Sequence, residues 1–129
     1  MYTKAIFVRR RDEFERVDVA GIQYIEKQQN DCLIVTAEKT HSVSGSLTAL
    51  HERLANAGFC RVHKSYLVSL DHVERVKAGQ IMVKGKRIPI GDLYAKSFYG
   101  LLMRQPDVDI KPRLKPPPVR KRWKKRGLE

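Results

Sequence analysis

Acid, cysteine and long apolar runs are all scarce in this sequence, and each shortage narrows what the protein can be. Only 14 Asp and Glu stand against 26 Lys and Arg in 129 residues, a formal net charge of +12. A polyanionic partner is therefore expected, nucleic acid first and an acidic lipid surface second. Two cysteines, Cys32 and Cys60, are too few for a disulfide framework. With no signal-peptide pattern at the start, both read as reduced thiols of an intracellular, most simply cytoplasmic, protein. No apolar run approaches the roughly 18–20 residues that a membrane-spanning helix needs. Glycine-rich phosphate loops are missing, and no activated Ser or Cys can be assigned to the adjacent Asp71 and His72, so the protein is not expected to be an enzyme. Cys60 and His63 have the spacing of half a zinc site, but one Cys and one His make no tetrahedral set unless Cys32 or His41 arrives through folding. A buried thiol beside a hydrogen-bonded histidine is the simpler reading, and neither metal nor any other cofactor is expected.

What remains is a length that suits one domain with an appendage. The charge is uneven: residues 111–129 hold nine Lys or Arg and one acid, net +8, which leaves net +4 for residues 1–110. Short runs rich in Val, Ile and Phe at 5–9 and 13–19 flank Arg10-Arg11-Asp12 and read as strand, turn, strand. Further extended runs at 22–27 and 32–37 flank the polar Gln28, Gln29, Asn30 and Asp31, where Asn-Asp suits positive φ. Another lies at 40–43. Ser46 then reads as the N-cap of a helix whose Leu47, Leu50 and Leu54 form a core-facing stripe and which stops at Gly58. Strands at 73–77, 81–83 and 87–90 follow, with turns at Ala78-Gly79 and Lys84-Gly85. Gly91 opens a second helix from Asp92 to about Met103, with Leu93, Tyr94, Phe98, Tyr99, Leu101 and Leu102 as its apolar content. Pro106, Pro112 and Pro116-Pro117-Pro118 mark residues 106–129 as an extended, unpacked tail. The domain proper is thus 1–105, and its class is mostly β (α+β by count): many short strands, two helices and largely local connections.

The stretch from Gly58 to Leu70 is the densest in chemistry. Phe59, Val62, Leu67, Val68 and Leu70 can enter a core, while Arg61, His63, Lys64, Ser65 and Tyr66 place donors and a ring at a kink between two extended runs. One reading gives Arg61 and Lys64 to phosphates, with Ser65 and His63 fixing register. The other is a solvated strand edge with His63 and Tyr66 tucked inward. The residues alone leave both open. In the tail, Arg120, Lys121, Arg122, Trp123, Lys124, Lys125 and Arg126 read as a basic arm that follows a nucleic-acid backbone or minor groove, with the tryptophan free to stack. The alternative is a tail that adds only solubility or loose affinity.

Phe59-Cys60-Arg61-Val62-His63-Lys64-Ser65-Tyr66-Leu67-Val68 closely resembles the signature segment of the LytTR family, DNA-binding domains of bacterial response regulators and other transcription factors. Ile22-Gln23-Tyr24-Ile25-Glu26 resembles that family's first core strand, Ser46 to Leu54 its helix, and Ile88-Pro89-Ile90 its last strand, so the likeness spans about residues 4–104. The resemblance implies a fold of about ten short, mainly antiparallel strands that inserts loops, not a recognition helix, into successive major grooves. By position, one reading loop falls on Gln28, Gln29, Asn30 and Asp31, a second on His63, Lys64 and Ser65, and a third just after Ile90. There the family's Ser and Arg are replaced by Gly91, Asp92 and Leu93, and Lys96 is the nearest substitute. The resemblance also implies paired binding to repeated half-sites of double-stranded DNA, bending of the duplex, and an upstream phosphoacceptor receiver domain or membrane segment, neither of which is in this chain. Either the chain is an excised C-terminal domain or it stands alone. A sheet-based RNA-binding or protein-interaction module with a nonspecific basic tail is the alternative function.

Overall fold

The computed structural model describes residues 4–103. The expected tail at 106–129, including Arg120 to Arg126 and Trp123, lies outside the described residues. Ten strands and two helices follow in order: β1 (Ala5–Arg10), β2 (Glu13–Asp18), β3 (Ile22–Gln28), β4 (Asp31–Thr36), β5 (Thr40–Ser44), α1 (Leu47–Arg53), β6 (Phe59–His63), β7 (Tyr66–Ser69), β8 (Arg75–Lys77), β9 (Gln80–Val83), β10 (Lys86–Pro89) and α2 (Asp92–Met103). They form a β1-β2 hairpin, a three-stranded sheet in the order β10-β9-β8, and a five-stranded sheet in the order β5-β4-β3-β7-β6. Every pairing is antiparallel. The mostly β architecture expected from the sequence is what forms.

The five-stranded sheet is covered on both faces, and the strand sequences say why. Successive side chains of a strand point to opposite faces, and in β7 both Leu67 and Val68 are fully buried. Leu67, Ile25, Ile34 and Phe59 face one core, closed by Ile6, Val8 and Val17 of the β1-β2 hairpin and by Leu47 and Leu54. Val68, Cys60 and Val62 face the other, closed by Ile81, Val83 and Ile88 of the small sheet and Phe98 of α2. A one-residue slip in β7 would exchange the two cores, so the register is tightly specified. Each fully buried Leu, Ile, Val or Phe stabilises the fold by roughly 1.5–3 kcal/mol before entropy is counted.

Five of the connections are as short as a hairpin allows. Two-residue turns close after the pairs Arg10↔Glu13, Gln28↔Asp31, His63↔Tyr66, Lys77↔Gln80 and Val83↔Lys86. At Lys84-Gly85 (φ 47° and 85°) and Ala78-Gly79 (53° and 77°) both residues are left-handed. That is the primed turn matching the twist of the strands it joins, and glycine supplies the second position without a Cβ clash.

Local expectations are corrected in three places. The first helix is shorter than expected: α1 ends at Arg53, Leu54 leaves helical geometry at φ −106° and ψ 11°, and a 3-10 turn at Ala55–Ala57 carries the chain to a left-handed Gly58. Ser46 does cap it, its Oγ accepting from the N–H of Ala49 at 3.0 Å. In α2 only Phe98 is fully buried; Leu93 is 90% exposed and so takes no part in the core. The positive φ expected at Asn30-Asp31 falls instead on Gln29 (53°), because Asp31 is drawn into β4 by its pairing with Gln28.

Candidate nucleic-acid interface

The β3-β4 and β6-β7 hairpins end side by side. Strands β3 and β7 are neighbours, paired from Tyr24↔Val68 to Glu26↔Tyr66. Just beyond that pairing, the N–H of Lys27 donates to the carbonyl of Ser65 at 2.8 Å. The turns Gln29-Asn30 and Lys64-Ser65 therefore share one end of the sheet. Gln28, Gln29, Asn30, Asp31 and Lys64 are exposed there, while Arg61, His63 and Ser65 are half-buried. Behind the first turn, Lys27 Nζ donates to the carbonyl of Gly45 at 3.1 Å, anchoring the chain that enters α1.

The second turn is built from its own residues. Arg61 donates from Nε to the carbonyl of His63 at 2.9 Å and from Nη2 to that of Lys64 at 2.7 Å. Its Nη1 reaches Thr48 Oγ1 of α1 at 3.4 Å, and its guanidinium carbon lies 5.6 Å from the centre of the Tyr94 ring. Two donors of a planar fork are thus committed to shaping the turn, and a third ties it to α1. His63 Nδ1 accepts the N–H of Ser65 at 3.0 Å, which puts the proton of the neutral ring on Nε2. Lys64 is left as the exposed cation at the tip.

The start of α2 is the third element at this end. The N–H of Gly91 donates to the carbonyl of Val62 at 2.8 Å. A Cβ on Gly91 would lie 3.3 Å from Tyr94 Cδ2 and 3.5 Å from His63 Cα, so the backbone of α2 approaches the second turn as closely as glycine permits. Asp92, Leu93 and Lys96 are all exposed on α2. Sequence reasoning finds the two turns but misses the groups that hold them: Thr48, Tyr94 and Lys27. Tyr94 is visible in the sequence as an aromatic ring of the second helix; its pairing with Arg61 is not.

Around the interface the ionisable groups are tuned by burial. Tyr66 sits opposite Glu26 in register, and desolvation first, then the Glu26 carboxylate that accepts its hydroxyl, push its ionisation above the ordinary 10.0. Burial likewise raises Tyr24, with Glu26 adding to it. Cys60 and Cys32 are raised above 9.0 by burial, and both thiols donate to carbonyls, Cys60 to that of Arg61 and Cys32 to that of Gly45. Asp71 and His72 lie in a 3-10 turn, where His72 Nε2 meets the carbonyl of Ala20 at 2.8 Å and fastens that turn to the 3-10 turn at Val19–Gly21 that precedes β3. No helix among the described residues is long and apolar enough to cross a membrane.

The pattern described as the LytTr DNA-binding domain matches residues 12–103. Among characterised proteins, the chain is 34% identical over 95 residues to the CO-responsive transcriptional regulator RcoM of Rhodospirillum rubrum, covering 68% of this chain and 40% of that protein. It is 27% identical over 92 residues to the sensory transduction protein LytT of Bacillus subtilis, covering 67% of this chain and 38% of that one. The LytT of Bacillus anthracis gives 26% over 92 residues, 67% and 37%. The chain thus spans well under half the length of these relatives. A solved LytTr DNA-binding domain from Bacillus cereus superposes with a TM-score of 0.67 at 22% identity, covering 78% of this chain and 97% of that one. With the family pattern running from β2 to the last described residue of α2, and with the fold to match, the chain belongs to the LytTr DNA-binding domain family.

Proposed function

We propose that the chain binds double-stranded DNA sequence-specifically, as part of a bacterial transcriptional regulator in the cytoplasm, by inserting its paired hairpin tips into the major groove. The observation that carries this reading is the 2.8 Å bond from Lys27 N–H to the Ser65 carbonyl, which makes one rigid edge of two turns rich in base-reading side chains. Gln28, Gln29 and Asn30 offer amides that pair bidentately with adenine N6 and N7; Lys64 reaches guanine O6 and N7; each good pair contributes ~1–3 kcal/mol of discrimination. Asp31 accepts from cytosine N4. His63 presents an Nε2–H donor, Ser65 helps set the turn, and Arg61 shapes it from behind. Lys96, on the exposed first turns of α2, supplies a phosphate contact. The transcriptional and sensory names of RcoM and LytT support placing this domain beneath a signal-receiving partner. Pairs of domains on repeated half-sites, with a bent duplex, complete the reading. The basic residues from Arg120 to Arg126, with Trp123, add nonspecific backbone affinity.

Selection of bound duplexes from a random library tests this directly. Wild type is expected to recover a repeated motif, and Lys64→Ala is expected to lose selectivity at one position of each repeat while melting as wild type does. Recovery of no motif, or of the same motif by Lys64→Ala, removes the assignment. Deleting residues 111–129 is expected to flatten the dependence of log K on log salt without changing the motif.

A further inference from the structure

Beside the hairpin tips runs a groove of about 550 Å³ between β1 on one wall and β5 with α1 on the other. Its floor is apolar, with Ile6, Val8 and Ile34 of the core beneath it, while Arg9 and Arg11 of the first hairpin, Arg53 at the end of α1, and Ser42 and Ser44 of β5 also line it, and no carboxylate does. The first hairpin carries further arginines, but they are already ion-paired: Arg10 meets Glu15 at 3.1 Å, a carboxylate it shares with Lys39, and Arg16 meets Asp18 at 2.8 Å. Arg11 and Arg53 have no ion pair among the described residues, and Arg9 makes only a 3.4 Å bond from Nε to the Arg11 carbonyl. All three are exposed. The groove joins the proposed reading edge: Ser44 is opposite Asp31 in register, and the N–H of Gly45 reaches the carbonyl of Asn30, in the first turn, at 3.5 Å.

From this juxtaposition we infer that the groove is a second DNA contact, a phosphate track in which Arg9, Arg11, Arg53, Ser42 and Ser44 hold the backbone flanking the bases read by the tips. The inference rests on the DNA-binding reading above and extends it to a part of the chain, β1, that precedes the residues matched to the family. Arginines and serines are the side chains that grip phosphate oxygens without reading sequence. The groove meets the tips at Ser44, so a strand leaving the first tip enters it directly. Charge complementarity favours a polyanion, and continuity with the tips favours the duplex over an acidic protein segment.

The test uses the full 129-residue chain and a duplex recovered by the library selection, with log K measured against log salt. Arg9→Gln, Arg11→Gln and Arg53→Gln combined are expected to lower the slope by roughly 0.9 for each phosphate no longer neutralised, up to about 2.7. The hydroxyl-radical footprint should shorten on one flank while base preference stays unchanged. Arg16→Gln removes the same charge from the same hairpin outside the groove and is expected to leave slope and footprint as they are. Should the triple variant fold poorly, Arg11→Gln and Arg53→Gln singly are each expected to lower the slope by about 0.9. An unchanged slope and footprint overturn the inference and leave the groove to an acidic protein segment. If wild type selects no motif, the reading of the tips fails, and the arginine dependence of binding to a random duplex still decides the groove.

Discussion

Arg61 Nη2 holds the carbonyl of Lys64 at 2.7 Å, so the cation at the tip of the second hairpin is aimed by an arginine three residues before it. The same guanidinium holds the carbonyl of His63, and a lysine ammonium cannot span both acceptors from one side. Arg61→Lys is expected to destabilise the domain by about 1–3 kcal/mol and to weaken specific DNA binding, with the salt slope unchanged. Denaturant melts check the first, and a salt titration of the charge-removing Arg61→Gln checks the second: a slope lower by about 0.9 in that variant would show that Arg61 grips a phosphate instead.

Gly91 is the point where α2 meets that turn, with a Cβ there falling 3.5 Å from His63 Cα and 3.3 Å from the Tyr94 ring. Gly91→Ala is tolerated if the ring edge yields. Gly91→Val adds two more carbons to the same space and is expected to cost about 1–3 kcal/mol by overpacking. It should also loosen the Val62-Gly91 bond and weaken DNA binding more than Gly91→Ala does. Equal affinities for the two variants would mean that α2 does not support the tip.

Ala78 occupies a left-handed conformation, φ 53°, ahead of Gly79 in a primed turn. Alanine resists that geometry and asparagine accepts it. Ala78→Asn is expected to stabilise the fold by about 0.5–1 kcal/mol, read as a rise in Tm of several degrees. A fall in Tm would show that the turn opens in solution.

Alkaline pH should unfold this domain earlier than its salt bridges suggest. Burial raises Cys32 and Cys60 above 9.0, and Tyr24, Tyr66 and Tyr99 above 10.0. The native state therefore keeps protons that the unfolded chain releases. Stability from these groups is complete below their unfolded values and declines as pH climbs through the native ones. Melting curves from about pH 8 upward are expected to show a steady fall, smaller in Cys60→Ala; a flat profile would contradict the burial of these groups.

Turns are the most legible feature of the sequence, because glycine and polar clusters carry their own geometry. Gly79 and Gly85 stand where left-handed residues are required, and the polar run at 28–31 does hold a hairpin turn. The helix from Ser46 is legible at its cap and overextended at its end, since Leu54 continues the apolar spacing without the helical backbone. Leu93 has the residue type of an apolar helix face, but it points to water; periodicity does not say where a helix's partner ends. The meeting of the two tips is beyond sequence reading. Lys27 and Ser65 are brought together by the β3-β7 pairing, and no local pattern encodes which distant strands become neighbours. Residue type alone makes Arg61 a phosphate ligand, while its carbonyl partners depend on the turn it closes. The arginines of the first hairpin look alike in the sequence, and only the fold reveals which of them are ion-paired.

Nearly every strand here finds its mate across a turn of two residues, a contact the chain can make within microseconds of starting to fold. The junction of β3 with β7 is different, because the loop it closes includes β4, β5, α1 and β6, and non-local closures come late and cost entropy first. The edge proposed to meet DNA straddles that one late seam. A transient parting of β3 from β7 would leave each hairpin intact yet separate the two halves of the proposed recognition surface, and on that reading discrimination among sequences would be lost and regained without the molecule unfolding.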